Sequence, residues 1–143
     1  MLAQTALDPQ EALVCTMVLV AAAGDGISDR EIGTMAGLVQ TLPVFRGFSK
    51  GRLQVATDSV VALLLKADGL AHAAKLIREA LEPRLRETAY ALACDVLAAD
   101  RSSDQDSLRM LEFIKVELAI DKLVAAAIER GARARHQLLP AIA

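Results

Sequence analysis

The sequence predicts an all-α protein, a compact single-domain bundle of about seven helices, and three observations carry that expectation. The chain is 54% hydrophobic but only 3% aromatic, with no Trp. Its core must therefore be assembled from alanine, leucine and valine, and alanine is the strongest helix former. Apolar residues recur at helical spacing in stretch after stretch, and no long alternating strand pattern occurs. Proline, glycine and capping residues fall between those stretches, where helix starts and stops belong. The 143 residues are enough for one domain, 1–143, around a single core.

Asp8 followed by Pro9 reads as an N-cap with proline in the first turn, opening a helix to about residue 23. Gly24 and Gly26 stop it. Ser28 and Glu31 then form a Ser-x-x-Glu capping box, in which each side chain reaches the other's backbone N–H. The second helix runs over about 29–42, up to Pro43. The next segment, PVFRGFSKGRL, holds Phe45 and Phe48 and reads as a loop pinned by aromatic burial. Ser49 caps a third helix over about 50–66, with Leu53, Val60, Val61 and Leu64 on one stripe. Asp68 and Gly69 mark a turn into a fourth helix, to about 81. Pro83 opens the fifth, to about 99, where Leu85, Ala89, Leu92, Val96 and Ala99 recur at helical spacing. Asp104 can cap a sixth helix carrying Leu108, Leu111, Phe113 and Ile114, and Asp121 a seventh, KLVAAAIERGARARHQL.

Laying Ala22-Ala23-Gly24 over Ala98-Ala99-Asp100 gives an offset of 76 residues, with an apolar helix, a polar loop and a capped helix in each copy. The chain thus divides into a first half, 8–66, with an acidic loop at 24–31, and a second half, 68–136, with an acidic loop at 100–107. Ser28 faces Asp104 in this register, Glu31 faces Ser107 and Ile32 faces Leu108. If the first and fifth helices are equivalent central helices, Val18 and Val96 should both be buried.

The acidic loops are the candidate site. A twelve-residue calcium loop of the EF-hand type needs oxygen ligands at positions 1, 3 and 5, glycine at 6 and glutamate at 12. Counted from Asp100, Ser102 and Asp104 fit positions 3 and 5 but Gln105 and Leu111 occupy 6 and 12; counted from Asp25, Ile27 fails at position 3. Neither loop is an EF-hand, although hard cations accept other oxygen geometries. Asp25, Asp29, Glu31, Asp95, Asp100, Asp104 and Asp106 are the candidate ligands for calcium or magnesium. For Asp29, Glu31, Asp104 and Asp106 the alternative is helix capping or solvation, since carboxylates satisfy a helix N-terminus without any ligand. Asp95 sits mid-helix in an apolar run. It lies at a solvent boundary, forms a buried ion pair with an Arg, or joins the acidic site of Asp100.

Several function classes have little support. A net charge of −2 provides no global field for nucleic acid or an anionic membrane. The tail ERGARARHQ gathers Arg130, Arg133, Arg135 and His136 where cations complement a helix C-terminus; an acidic docking partner is the other reading, and a nucleic-acid platform would need interleaved aromatics. His72 and His136 show no metal-ligand spacing, and no phosphate loop or nucleophile signature is present, so no enzyme is expected. Cys15 and Cys94 lie in apolar runs and should behave as buried free thiols. Residues 1–10 lack the pattern of a signal peptide, and the longest apolar stretch, 12–23, falls short of the roughly 20 residues a bilayer requires. A soluble, cytoplasmic protein without membrane insertion is the expectation.

The segments ALVCTMVLVAAAGDGISDREI, LPVFRGFSKGRL, LRETAYALACDVLAADRSSDQDSLRMLEFI and DKLVAAAIERGARARHQ together resemble the TerB family of tellurite-resistance proteins, over most of residues 12–137. Related domains also occur at the N-terminus of membrane-anchored J-domain co-chaperones. The resemblance implies an all-helical fold with a duplicated helix pair. It also implies a non-catalytic, acidic adaptor in resistance to tellurite and other stresses, acting beside a membrane partner, TerC, with a divalent cation. The family pattern has Ala-Asp-Gly after the first helix of each unit and an acidic residue about seven positions beyond the Asp. Here Gly24 stands at the first Asp position with Asp25 next, and Glu31 is kept; the second copy keeps Asp100 but has Arg101 for Gly and Ser107, beside Asp106, at the acidic position. Two other classes are weighed against the adaptor. One is a calcium or magnesium sensor or buffer using the acidic loops, and the other a carboxylate-based hydrolase, which would need a deep pocket containing Asp95 or Asp100.

Overall fold

The computed structural model describes residues 6–100 and 105–141. Among them are seven α-helices and no strand: α1 Pro9–Ala21, α2 Asp29–Thr41, α3 Lys50–Leu64, α4 Gly69–Ala80, α5 Pro83–Asp100, α6 Gln105–Glu117 and α7 Lys122–Arg135. A single 3-10 turn, Pro43–Phe45, lies in the loop before α3. None of these helices is long and apolar enough to cross a membrane.

α1 has no polar face, and every residue from 12 to 21 is buried. A helix that is apolar all round can only be stable inside others, and α1 accordingly forms the axis of the bundle, in contact with α2, α3, α4, α5 and α6. Its one buried hydroxyl, Thr16 Oγ1, donates to the Ala12 carbonyl at 2.8 Å. α5 is the second axis and packs most extensively on α1, with Ala89, Leu92, Ala93 and Val96 buried. Val18 and Val96 are both fully buried, as their placement on central helices requires.

The two halves pack reciprocally. α2 lies mainly on α5, whereas α6 lies equally on α1 and α5; α3 lies on α1 while α7 lies on α5. α2 and α6 are both 13 residues long and begin and end 76 residues apart, the offset of the sequence repeat. Equivalent positions also share environments: Glu31 and Ser107 are both buried, whereas Ile32 and Leu108 are both about half exposed.

Local chemistry fixes the helix ends. Asp8 and Glu11 form a capping box at α1, Ser28 and Glu31 form one at α2, and the Asp121 carboxylate accepts from the Leu123 and Val124 N–H groups at α7. α1 ends two residues before the expected 23 because Ala23 N–H turns back to the Val20 carbonyl, a tighter three-residue bond. α3 ends at Leu64 for the same reason, with Leu65 and Lys66 N–H bonding to the Ala62 and Leu63 carbonyls. Asp68 then adopts a left-handed conformation at φ 59°, and a Cβ on Gly69 would lie 2.1 Å from the Leu63 carbonyl oxygen. Only glycine fits there. The carbonyl end of α4 is satisfied from α5, where the Arg86 guanidinium donates to the Leu81 and Arg78 carbonyls at 2.9 Å each.

Phe45 and Phe48 are buried with ring centroids 5.6 Å apart, and the Gln10 amide donates to the Val44 and Arg46 carbonyls, so the loop before α3 is pinned to the start of α1. Two expected stripe members turn outwards. Val61 is 36% exposed because the inward stripe of α3 runs through Leu53, Val60 and Leu64, and Val61 sits about 100° further round. Leu108 is displaced in the same way from Ser107 and Ile114 of α6.

Candidate functional site

The first acidic loop meets the end of α5 at Ser28. Its hydroxyl donates to Asp100 Oδ1 at 3.0 Å, 72 residues away, and accepts from the Glu31 N–H at 3.1 Å. Its own N–H donates to Glu31 Oε1 at 2.9 Å. One serine thus caps α2, holds Glu31 in place and ties the loop after α1 to the end of α5. Glu31 is buried at 4% exposure, where its carboxylate accepts from the Ser28 N–H. Asp100 is half-buried, while Asp25, Asp29 and Asp106 are exposed around the same loops. Gly26, at φ 107°, supplies the left-handed residue that lets the first loop turn.

Glu31 and Asp100 are the candidate ligands that the fold brings together, one from each half. Asp29 occupies the first turn of α2, where it faces the helix dipole, and Asp106 does so in α6, 3.9 Å from Arg109. Asp104 lies outside the described residues. Among the described residues, no three His, Cys, Asp or Glu side chains converge closely enough to hold a metal ion, and calcium takes six to eight oxygens. Glu31 and Asp100 alone fall short of that shell.

Asp95 belongs to a different face. Five residues separate it from Asp100, a rotation of about 140° on an α-helix, so the two carboxylates of α5 diverge. Asp95 Oδ1 takes an ion pair from Arg135 at 2.6 Å and lies 3.3 Å from His136 Nε2. Of the readings open for this residue, the ion pair with an Arg is the one found. Half of the basic tail is thereby engaged inside the molecule, while Arg130 and Arg133 remain exposed.

A second polar cluster holds α7 and α6 to α5. The buried Tyr90 hydroxyl donates to Glu129 Oε2 at 2.5 Å, and Lys115 lies between Glu112 and Glu129 at 2.8 and 3.9 Å. Burial first, and then the bond to Glu129, push the Tyr90 hydroxyl well above its ordinary range. Hydrogen bonding to Glu112 raises Lys115. Burial likewise raises the Cys15 and Cys94 thiols to about 12. Both cysteines are free and buried, as their apolar surroundings implied.

Sequence reasoning missed two of these features. The Asp8–Glu11 box was visible as the same spacing that identified Ser28–Glu31. The Ser28–Asp100 bond carries no local signal, because it exists only once α1 and α5 pack. A cavity of about 780 Å³ runs along α1 and α3, lined by Leu7, Cys15, Phe48 and Val55 among others, and among the described residues no candidate carboxylate lines it. Comparison with protein-family models, curated proteins and solved structures finds no match.

Proposed function

We propose that this protein is a small non-catalytic helical adaptor of the TerB type, acting in the cytoplasm in tellurite or general stress resistance through protein contacts. The observation that supports this reading most is the Ser28–Asp100 hydrogen bond. It ties the loop after α1 to the end of α5, and Asp25, Asp29 and Asp106, on the segments that flank this bond in sequence, are exposed. We infer that these carboxylates form one acidic end of the molecule. Its natural complement is a basic segment, such as the Lys- and Arg-rich flanks on the cytoplasmic face of a TerC-like membrane protein.

Genetic complementation tests the proposal. Deletion should lower tellurite tolerance, the intact chain should restore it, and an Asp25→Asn/Asp29→Asn/Asp106→Asn chain should fail to restore it while melting normally. Tolerance unchanged by deletion overturns the tellurite role, and full rescue by the triple variant overturns the acidic end as the contact face. The meeting of Glu31 and Asp100 at Ser28 favours a second reading, a calcium or magnesium sensor or buffer. Calorimetry with calcium, magnesium, manganese and zinc separates the two, since no heat at millimolar metal removes the sensor.

A further inference from the structure

The cavity along α1 and α3 is a groove with a charged pattern that is complementary to itself. One wall is the start of α1, with Leu7, Glu11 and Cys15, and the other is the outward stripe of α3. Val55 on that stripe is 66% exposed and Leu65, the residue that caps the C-terminal end of α3, is 84% exposed, two large apolar side chains left uncovered. Patches of this kind mark contact sites. Ala62 lies between them, and at four residues to either side stand Asp58 and Lys66, both exposed and both lining the groove. Asp58 accepts from the neutral Gln54 amide. Neither Asp58 nor Lys66 has an ion pair among the described residues.

We propose that the α3 face is a two-fold interface between copies of this chain, with two α3 helices antiparallel and crossing at Ala62. An axis through Ala62 sets Asp58 of each copy opposite Lys66 of the other, and Ser59 opposite Leu65. Parallel packing would oppose Asp58 to Asp58 and Lys66 to Lys66, a repulsive register. Ser59 and Ala62 are small enough to admit the facing helix, and Leu65 of each copy covers the gap above Ser59 of the other. The pattern reads the same in both directions, as an isologous contact requires. This selects a second copy over an unrelated helix. Burial of Val55 and Leu65 supplies the attraction and the four charges fix the register. The face shares no residue with the acidic end, so dimerisation leaves that end open.

Sedimentation of the full chain from micromolar to millimolar concentration tests the interface. The expected result is a concentration-dependent species of twice the 15.2 kDa chain mass. Asp58→Lys alone and Lys66→Asp alone should each weaken the dimer about tenfold, as expected for two partly exposed ion pairs turned repulsive. The double variant Asp58→Lys/Lys66→Asp should recover it, because the swapped charges meet again across the axis. Both substitutions are at exposed positions, and unchanged thermal melts separate lost association from lost folding. A chain that remains monomeric to millimolar concentration overturns the proposal and leaves the groove to an amphipathic helix of another protein or to a lipid. A dimer indifferent to the single charge reversals, or not recovered by the double one, overturns the antiparallel register.

Discussion

Single side chains in this protein hold more than their own helix. Ser28 satisfies a helix terminus and at the same time joins the two halves through Asp100, and the buried thiols record how dry the interior is. The cysteines give a prediction of alkaline behaviour. Burial raises Cys15 and Cys94 from 9.0 to about 12 in the folded chain. Because the folded pKa lies above the unfolded one, the stability they contribute is complete below pH 9 and is lost as pH rises from 9 towards 12. Tyr90 and Lys115, both raised, act in the same direction. Urea midpoints should therefore stay level through neutral pH and fall above pH 9, less steeply in a Cys15→Ala/Cys94→Ala chain. A slope unaffected by that double substitution would show that the thiols do not carry the effect. The thiols' burial was legible, since each sits in an unbroken apolar run, whereas Ser28 announced its capping role and nothing of its partner 72 residues on.

Helix number and order were legible because their signals are local: prolines at the first turns of α1 and α5, the Ser28 box, the glycine between α3 and α4. Ends were less legible, since the closing turns of α1 and α3 depend on three-residue bonds that no residue type dictates. Which face of an element turns inwards also depends on neighbours. Asp95 could have faced solvent, an arginine or Asp100, and only the packing of α7 on α5 decided for Arg135. That ion pair is the element-scale contact to test. Arg135→Ala leaves the Asp95 carboxylate, only 12% exposed, beside His136 alone. The expected cost is about 1–2 kcal/mol, discounted because Arg135 itself is about half exposed. Asp95→Asn should cost a similar amount, and the double variant less than the two together, since the interaction can be lost only once. Additive losses in a double-mutant cycle would mean that the pair does not fasten α7.

At the scale of the whole molecule, an alanine-rich chain with three Phe and one Tyr builds its core by enclosing α1 and α5 in helices drawn from both halves. The composition pointed to helices, and α2 and α6 stand 76 residues apart, the offset of the sequence register. The sequence register did not foretell that α2 would lie mainly on α5 and α6 on α1 and α5 alike, because it says which segments correspond and not which ones touch. Reciprocal packing has a mechanical consequence: neither half can bury its own central helix, so damage to either axis should unfold both. Val18 and Val96 are fully buried on α1 and α5. Val18→Asp places a charge where no described cation waits, and it should cost about 3–5 kcal/mol, as should Val96→Asp. Val61→Asp, at a 36% exposed position of α3, is the control and should change little. Each core variant should lose its helical signal in one transition at markedly lower temperature, with no residual folded half. A melt unchanged by Val18→Asp would refute the central position of α1, and a melt with a surviving second transition would show that one half stands alone.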